Sequence, residues 1–168
     1  NNINPLDWLL NHSLTEDGMD TLFIAMLLNS DEEAVGRLLK HPRSNITLSD
    51  AGAHLSLLCD AGYGLDLLGK WSRDLNIMSL EQAIYKLTGK QADICRIPKR
   101  GRLVPGYFAD MILFDENKIS TSAAYRKNDL PANSDRLIVD PIGIKELWVN
   151  GVNKNKSTAG KLIREFLS

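Results

Sequence analysis

Along the first 95 residues apolar positions return every three or four places, the mark of helices that bury one face. In "NPLDWLLN", Leu6, Leu9 and Leu10 share a face, Asn4 offers a cap and Pro5 suits the first helical position. In "SDEEAVGRLLKHP", Ala34, Val35, Leu38 and Leu39 repeat at the same spacing. Ser30 and Glu33 there predict a capping box, acids fill the first turn, and Pro42 ends the helix. "NITL" breaks the period with a short β-branched run that predicts a strand ending at Ser49 and Asp50. Leu65, Leu68, Ser72 and Leu75 then fall near one helical face, with Trp71 beside them. "SLEQAIYKLTG" follows with a second capping box, Ser79 with Gln82, a stripe of Leu80, Ala83, Ile84 and Leu87, and Gly89 to close it. All these stripes, and the apolar run at 22–28, predict core packing.

From about Arg96 the texture changes. "GRLVPGYFADMILFD" predicts a strand, a Pro-Gly turn and a second strand through the apolar run 111–114. Residues 116–141 are polar and irregular, a long excursion without a clear period. "IKELWVNGVNK" predicts a strand entering a hairpin at Asn150-Gly151, the dipeptide best suited to positive φ at both central positions. The tail "AGKLIREFLS" fits a last strand or a short helix. The pattern divides the chain into an α/β part, residues 1–95, and a β-rich part, residues 96–168, with no repeat.

Composition narrows the function classes. At 168 residues the chain is long enough for one domain with a real core, and its net charge of -1 gives no footprint for nucleic acid or an anionic membrane. The densest basic group, "PKRGR", reads as a solvated strand edge. Cys59 and Cys95 make no disulfide framework and no metal-binding CxxC; both read as small buried side chains. No apolar run nears the roughly 20 residues that span a bilayer, and no signal peptide is visible, so the cytoplasm is the expected compartment.

The candidate chemistry sits in "NITLSDAGAH". A carboxylate at the C-terminal end of a strand, inside a strand–helix unit, stands where α/β barrels place their catalytic groups. Asp50 fits that position, Gly52 would let backbone pass close to a ligand or metal, and His54 is four residues on. The competing reading is a turn former, since aspartate after a strand commonly makes an Asx turn. A single Asp and His do not make a zinc site, which takes three or four protein ligands.

Three segments in order, "LSDAGAH", "LEQAIYKLTGKQADI" and "RGRLVPGYFADMILFD", resemble the C-terminal part of the amidohydrolase superfamily, in its N-acyl-D-amino-acid deacylase branch. The closing "LWVNGV" resembles the family's final hairpin, and the likeness runs from about Asn4 to Val152. It implies the C-terminal segment of a (β/α)8 barrel followed by β-rich strands of a small composite β-sandwich. The implied activity is metal-dependent hydrolysis of a carbon–nitrogen amide bond in a small molecule, an N-acyl amino acid or similar amide. The family's last-strand aspartate maps onto Asp50, which takes a proton from the attacking water and passes it to the leaving amine. Ser49 and His54 are supporting or substrate-side candidates, and Asp110 is expected to be structural, capping the turn before the 111 strand.

The family's His-x-His pair, bridging ligand and later histidines are absent, and His12 and His41 have no ligand spacing. A whole barrel takes about 250 residues. The expectation is therefore a C-terminal portion of a longer enzyme, inactive alone, in which Asp50 ligates metal only beside groups from elsewhere. Zinc or another divalent metal is implied for the full-length enzyme, with no tight binding to these residues alone. "LSLLCDAGYG" carries no arginine for a substrate carboxylate. A cyclic-amide hydrolase, or a non-catalytic paralogue acting in assembly or binding, remains open as an alternative. Uncovered apolar faces predict self-association.

Overall fold

The computed structural model describes residues 3–15, 28–53, 55–56, 59–155 and 159–163. The chain separates into two units, Asn1–Val35 and Gly36–Ser168. The first contains α1 (Pro5–Thr15), entered as the sequence predicts: the Leu6 N–H donates to the Asn4 side chain at 2.9 Å and Pro5 opens the helix. Its stripe does not form a core, because Leu6, Leu9 and Leu10 are all exposed. The run 22–28 lies outside the described residues except for Leu28, which is exposed.

Helix α2 (Glu32–Lys40) crosses the division and stops before Pro42. Asp31, not Ser30, is its side-chain cap, accepting from the Ala34 N–H at 3.0 Å. Acid one place nearer the helix also faces its positive end, so the aspartate has the stronger claim on that N–H. Within the second unit, Gly36 is glycine for close packing, since a Cβ there would stand 3.3 Å from Ile77 and 3.6 Å from Trp71.

The core of the second unit is helical with one β-side intruder. Leu67, Leu68, Met78, Ala83 and Ile119 are its buried centre, with Leu39, Ile46, Leu80, Ile84, Leu87 and Phe114 around them. Helix α3 (Tyr63–Asp66) runs on into a π-helical stretch, Leu67–Asp74, where Leu67, Leu68 and Ser72 are buried as the stripe predicts but Leu75 is exposed. Ile119, 0% exposed, meets this stretch at Gly69, where any Cβ would come within 2.3 Å of the Ile119 carbonyl. The same carbonyl accepts from Arg73 at 2.9 Å. Glycine and arginine together thus fasten the β-rich half to the helices.

Helix α4 (Leu80–Leu87) has the full capping box, Ser79 Oγ accepting from Gln82 N–H and Gln82 Oε1 from Ser79 N–H. Gly89 is not a terminator but the first residue of α5 (Gly89–Ile94), after a break at Thr88. It is glycine for space: a Cβ would lie 3.0 Å from the Tyr85 ring.

Two strands predicted before residue 111 are absent. Residues 45–48 and 101–104 are irregular, and among the described residues 45–49 make no backbone hydrogen bond to another element. A lone strand leaves its N–H and C=O groups without a ladder, so β-branched composition alone does not form one. The excursion at 116–141 is more ordered than its sequence suggests. After β1 (Met111–Phe114) come β2 (Ser120–Thr121), β3 (Tyr125–Asn128), β4 (Asp135–Ile138) and β5 (Pro141–Ile142). The last strands are β6 (Ile144–Val149) and β7 (Val152–Asn153), joined through Asn150 and Gly151 at φ 50° and 79°, the predicted hairpin. They form three antiparallel pieces: β1-β6-β7, β2-β5 and β3-β4. No helix among the described residues is long and apolar enough to cross a membrane.

The basic stretch after Pro98 is a set of internal ties, not a strand edge. Arg102 donates twice to Asp93, at 2.8 and 2.6 Å. Arg100 joins Asp110 and also reaches Asn150 Oδ1 at 2.7 Å, while the Asp110 carboxylate accepts from the Asn150 N–H at 2.8 Å. Asp110 is structural as expected, but the turn it serves is the one 40 residues later. Cys95 is exposed and Cys59 half-buried, so neither is the buried side chain its neighbours suggest.

Candidate functional site

Asp50 is exposed, with φ of 53° in the left-handed region that aspartate and asparagine tolerate best. The turn around it is made by other groups. Ser49 Oγ accepts from the Ala51 N–H at 3.1 Å, and the Asp50 main-chain carbonyl accepts from Ala53 N–H at 3.1 Å. Among the described residues the Asp50 carboxylate takes no hydrogen bond and no ion pair, and α3, preceded by Gly62, has no side-chain cap. The turn-forming work therefore falls to Ser49 and main chain, and the carboxylate is left over for other use. Gly52, at φ 97° with nothing within 4 Å of a built Cβ, is glycine for its backbone angle and not for a close approach. His54 lies outside the described residues.

The segment leading to Asp50 is held from two sides. Upstream, two lysines reach the carbonyls that follow α2. Lys86 Nζ donates to His41 O at 3.0 Å and Ser44 O at 3.5 Å; Lys90 Nζ donates to Pro42 O at 2.6 Å and Ser44 O at 2.7 Å. Cations there complement the negative end of α2. Burial pushes the Lys86 ammonium below its ordinary pKa, and the charge of Lys90 adds to the shift. Downstream, the β3–β4 hairpin reaches the residues beyond Asp50. The Leu137 N–H donates to Leu55 O at 2.9 Å, and Arg126 Nη2 to Ser56 O at 3.3 Å. Neither anchor was visible as a site feature in the sequence; the helical stripe hides Lys86, and the hairpin lies in the unassigned excursion.

His41 does not approach Asp50 as a ligand, and His12 belongs to the first unit. His41 Nδ1 accepts from the Arg43 N–H at 3.1 Å, a local turn after α2, and His12 stacks on Trp8. Among the described residues no group of three or more His, Cys, Asp or Glu is placed to hold a metal ion. The described residues therefore do not by themselves fit a complete metal site. A shallow groove of about 230 Å³ lies elsewhere, along Arg102, Leu103, Val104, Pro105, Tyr107, Phe108 and Ala109. Its one cation, Arg102, is already tied to Asp93.

Residues 6–153 match the model of a family described as the amidohydrolase family. A D-aminoacylase from Alcaligenes xylosoxydans xylosoxydans is 34% identical over 51% of this chain and 16% of its own length. An N-acyl-D-aspartate deacylase from the same organism is 30% identical over 72% of the chain and 23% of its own length. A crystal structure of D-aminoacylase, described as defining a novel subset of amidohydrolases, superposes with a TM-score of 0.55 at 30% identity. It covers 73% of this chain and 24% of the solved one. The chain thus spans about a quarter or less of the proteins it matches.

Proposed function

We propose a function from one premise: the chain belongs to the amidohydrolase family, and its relatives lie in the D-aminoacylase branch. It is the C-terminal part of a hydrolase that cleaves the carbon–nitrogen amide bond of an N-acyl amino acid or a similar small amide. Residues 1–95 contribute the end of a barrel in that enzyme, with 45–49 in the place of the last strand, and residues 96–168 contribute strands of the small sandwich. The observation that carries the proposal is the family match across 6–153, which takes in the Ser49–Ala53 turn and its unengaged carboxylate.

An amide nitrogen leaves only once it is protonated. Asp50 supplies that proton: its carboxylate accepts one from the attacking water and passes it to the departing amine. Ser49 shapes the turn that presents it, and His54 stands as its supporting group. Zinc is present in a solved N-acyl-D-glutamate deacylase from Bordetella bronchiseptica. The described residues of this chain do not supply a ligand set for such an ion, so its ligands come from other parts of the full-length enzyme, Asp50 adding one at most. The substrate is a small amide, and uncovered apolar surface favours self-association of the chain when it is isolated.

Asp50→Asn in the full-length enzyme is the test. Asparagine keeps the volume and suits the same left-handed backbone, but cannot accept and release a proton. Turnover on N-acyl-D-amino acids is expected to fall about 10²- to 10⁴-fold with melting unchanged. Full retained activity overturns the assignment.

A further inference from the structure

We propose that Arg126 is a positioning residue for Asp50, acting through the β3–β4 hairpin. Arg126 and Leu137 are direct cross-strand partners in that hairpin. From this single rung the Arg126 guanidinium and the Leu137 N–H grip two consecutive carbonyls, Ser56 and Leu55. The other arm of Arg126 is bound to Asp135, two rungs along the ladder, which keeps the guanidinium directed rather than solvated. At the opposite end Lys86 and Lys90 hold the carbonyls of residues 41–44. Between the two anchors, among the described residues, only the internal turn bonds at Ser49 and Asp50 order the main chain, with Ile46 resting on the core. A segment without a ladder takes its course from where its ends are fixed. The hairpin grip therefore sets where Asp50 stands.

This rests on the catalytic reading of Asp50 only for its consequence, not for its geometry, so two measurements separate them. Hydrogen exchange on the full chain reads the geometry. Arg126→Met should raise exchange within 45–56 roughly tenfold at the hydrogen-bonded amides of Ala51 and Ala53, the loss of one charged hydrogen bond, while α4 and the β1–β6 pair keep wild-type protection. Unchanged exchange at 45–56 overturns the proposal. Should Arg126→Met unfold the chain, Arg126→Lys decides: it keeps the cation and loses the second arm, so a rise confined to 45–56 supports the grip and a uniform rise refutes it. Turnover in the full-length enzyme reads the consequence. Arg126→Met should lower kcat with little change in KM, and should cost nothing further once Asp50 is already Asn. Additive losses in that double variant overturn positioning through Asp50. Full activity retained in Asp50→Asn, with loosened exchange in Arg126→Met, would remove the catalytic role and leave the grip standing.

Discussion

Helix α4 and the segment 45–53 sit a few dozen residues apart and are built on opposite terms. Helix α4 carries its own instructions: a reciprocal capping box at Ser79 and Gln82, and a stripe with Ala83 fully buried. Segment 45–53 has β-branched composition but no partner strand among the described residues, and Leu48 is 81% exposed. A helix satisfies its backbone internally, whereas a strand borrows its hydrogen bonds from a neighbour. Local signals therefore suffice for the first and fail for the second, whose course is fixed by lysines and a hairpin from distant sequence.

The contrast breaks hardest at Ile119, which seals the helical core from the β side. Ile119→Ala should cost about 2–5 kcal/mol in chemical denaturation, as for other large-to-small core changes. A loss below about 1 kcal/mol would mean the helices stand without the intruder. Ser79→Ala removes half the capping box and should cost about 1 kcal/mol, read as a shift in denaturation midpoint with exchange at 45–53 unaltered. Acidification probes the ties of the β-rich half. The Asp93 and Asp129 carboxyls are held below the ordinary range, first by hydrogen bonds from Arg102 and Arg136. Such groups add stability above their unfolded pKa, near 3.9 for aspartate, and lose it as the pH falls through the folded value. Stability should hold down to about pH 4 and then decline; charge-neutral variants, Arg102→Met and Arg136→Met, should flatten that decline. The smallest effect sharpens the comparison most. Leu48→Ser should change the stability of this chain by less than about 0.5 kcal/mol, as for exposed sites. A large loss would show that 45–48 is packed as a strand after all.

The same distinction explains what the sequence disclosed. The Ser79–Gln82 capping box, the Asn150-Gly151 turn and the stripe over α4 all refer to nearby neighbours, and each forms as the sequence predicts, whereas the cap of α2 moves one place, from Ser30 to Asp31. Gly89 and Asp110 stand where the sequence suggests a local stop and a local cap, but answer to other contacts: the Tyr85 ring and the Gly101 carbonyl, and the turn at Asn150. The excursion 116–141 hid two strand pairs because its strands are short and carry charged ladders, such as Arg136 on Asp129, instead of apolar alternation. Asp50 could be singled out by its place in a motif. Ser49 makes its turn, and the two remote anchors that hold its loop depend on contacts far apart in sequence.

The Asn150-Gly151 turn has a consequence for how the molecule ages. An asparagine before glycine is open to deamidation, because the unhindered glycine nitrogen can attack the side-chain amide. Here that nitrogen is occupied, donating to Ala109 O at 2.9 Å, while the amide oxygen accepts from Arg100 and the amide nitrogen donates to Ala159. The turn that closes the hairpin thereby shelters its own weakest covalent bond. Once the hairpin opens, the protection ends, and an acid at position 150 would meet Asp110 across the turn and compete with it for Arg100. Storage under conditions that fray β6 and β7 should then write a permanent charge into a joint the fold depends on.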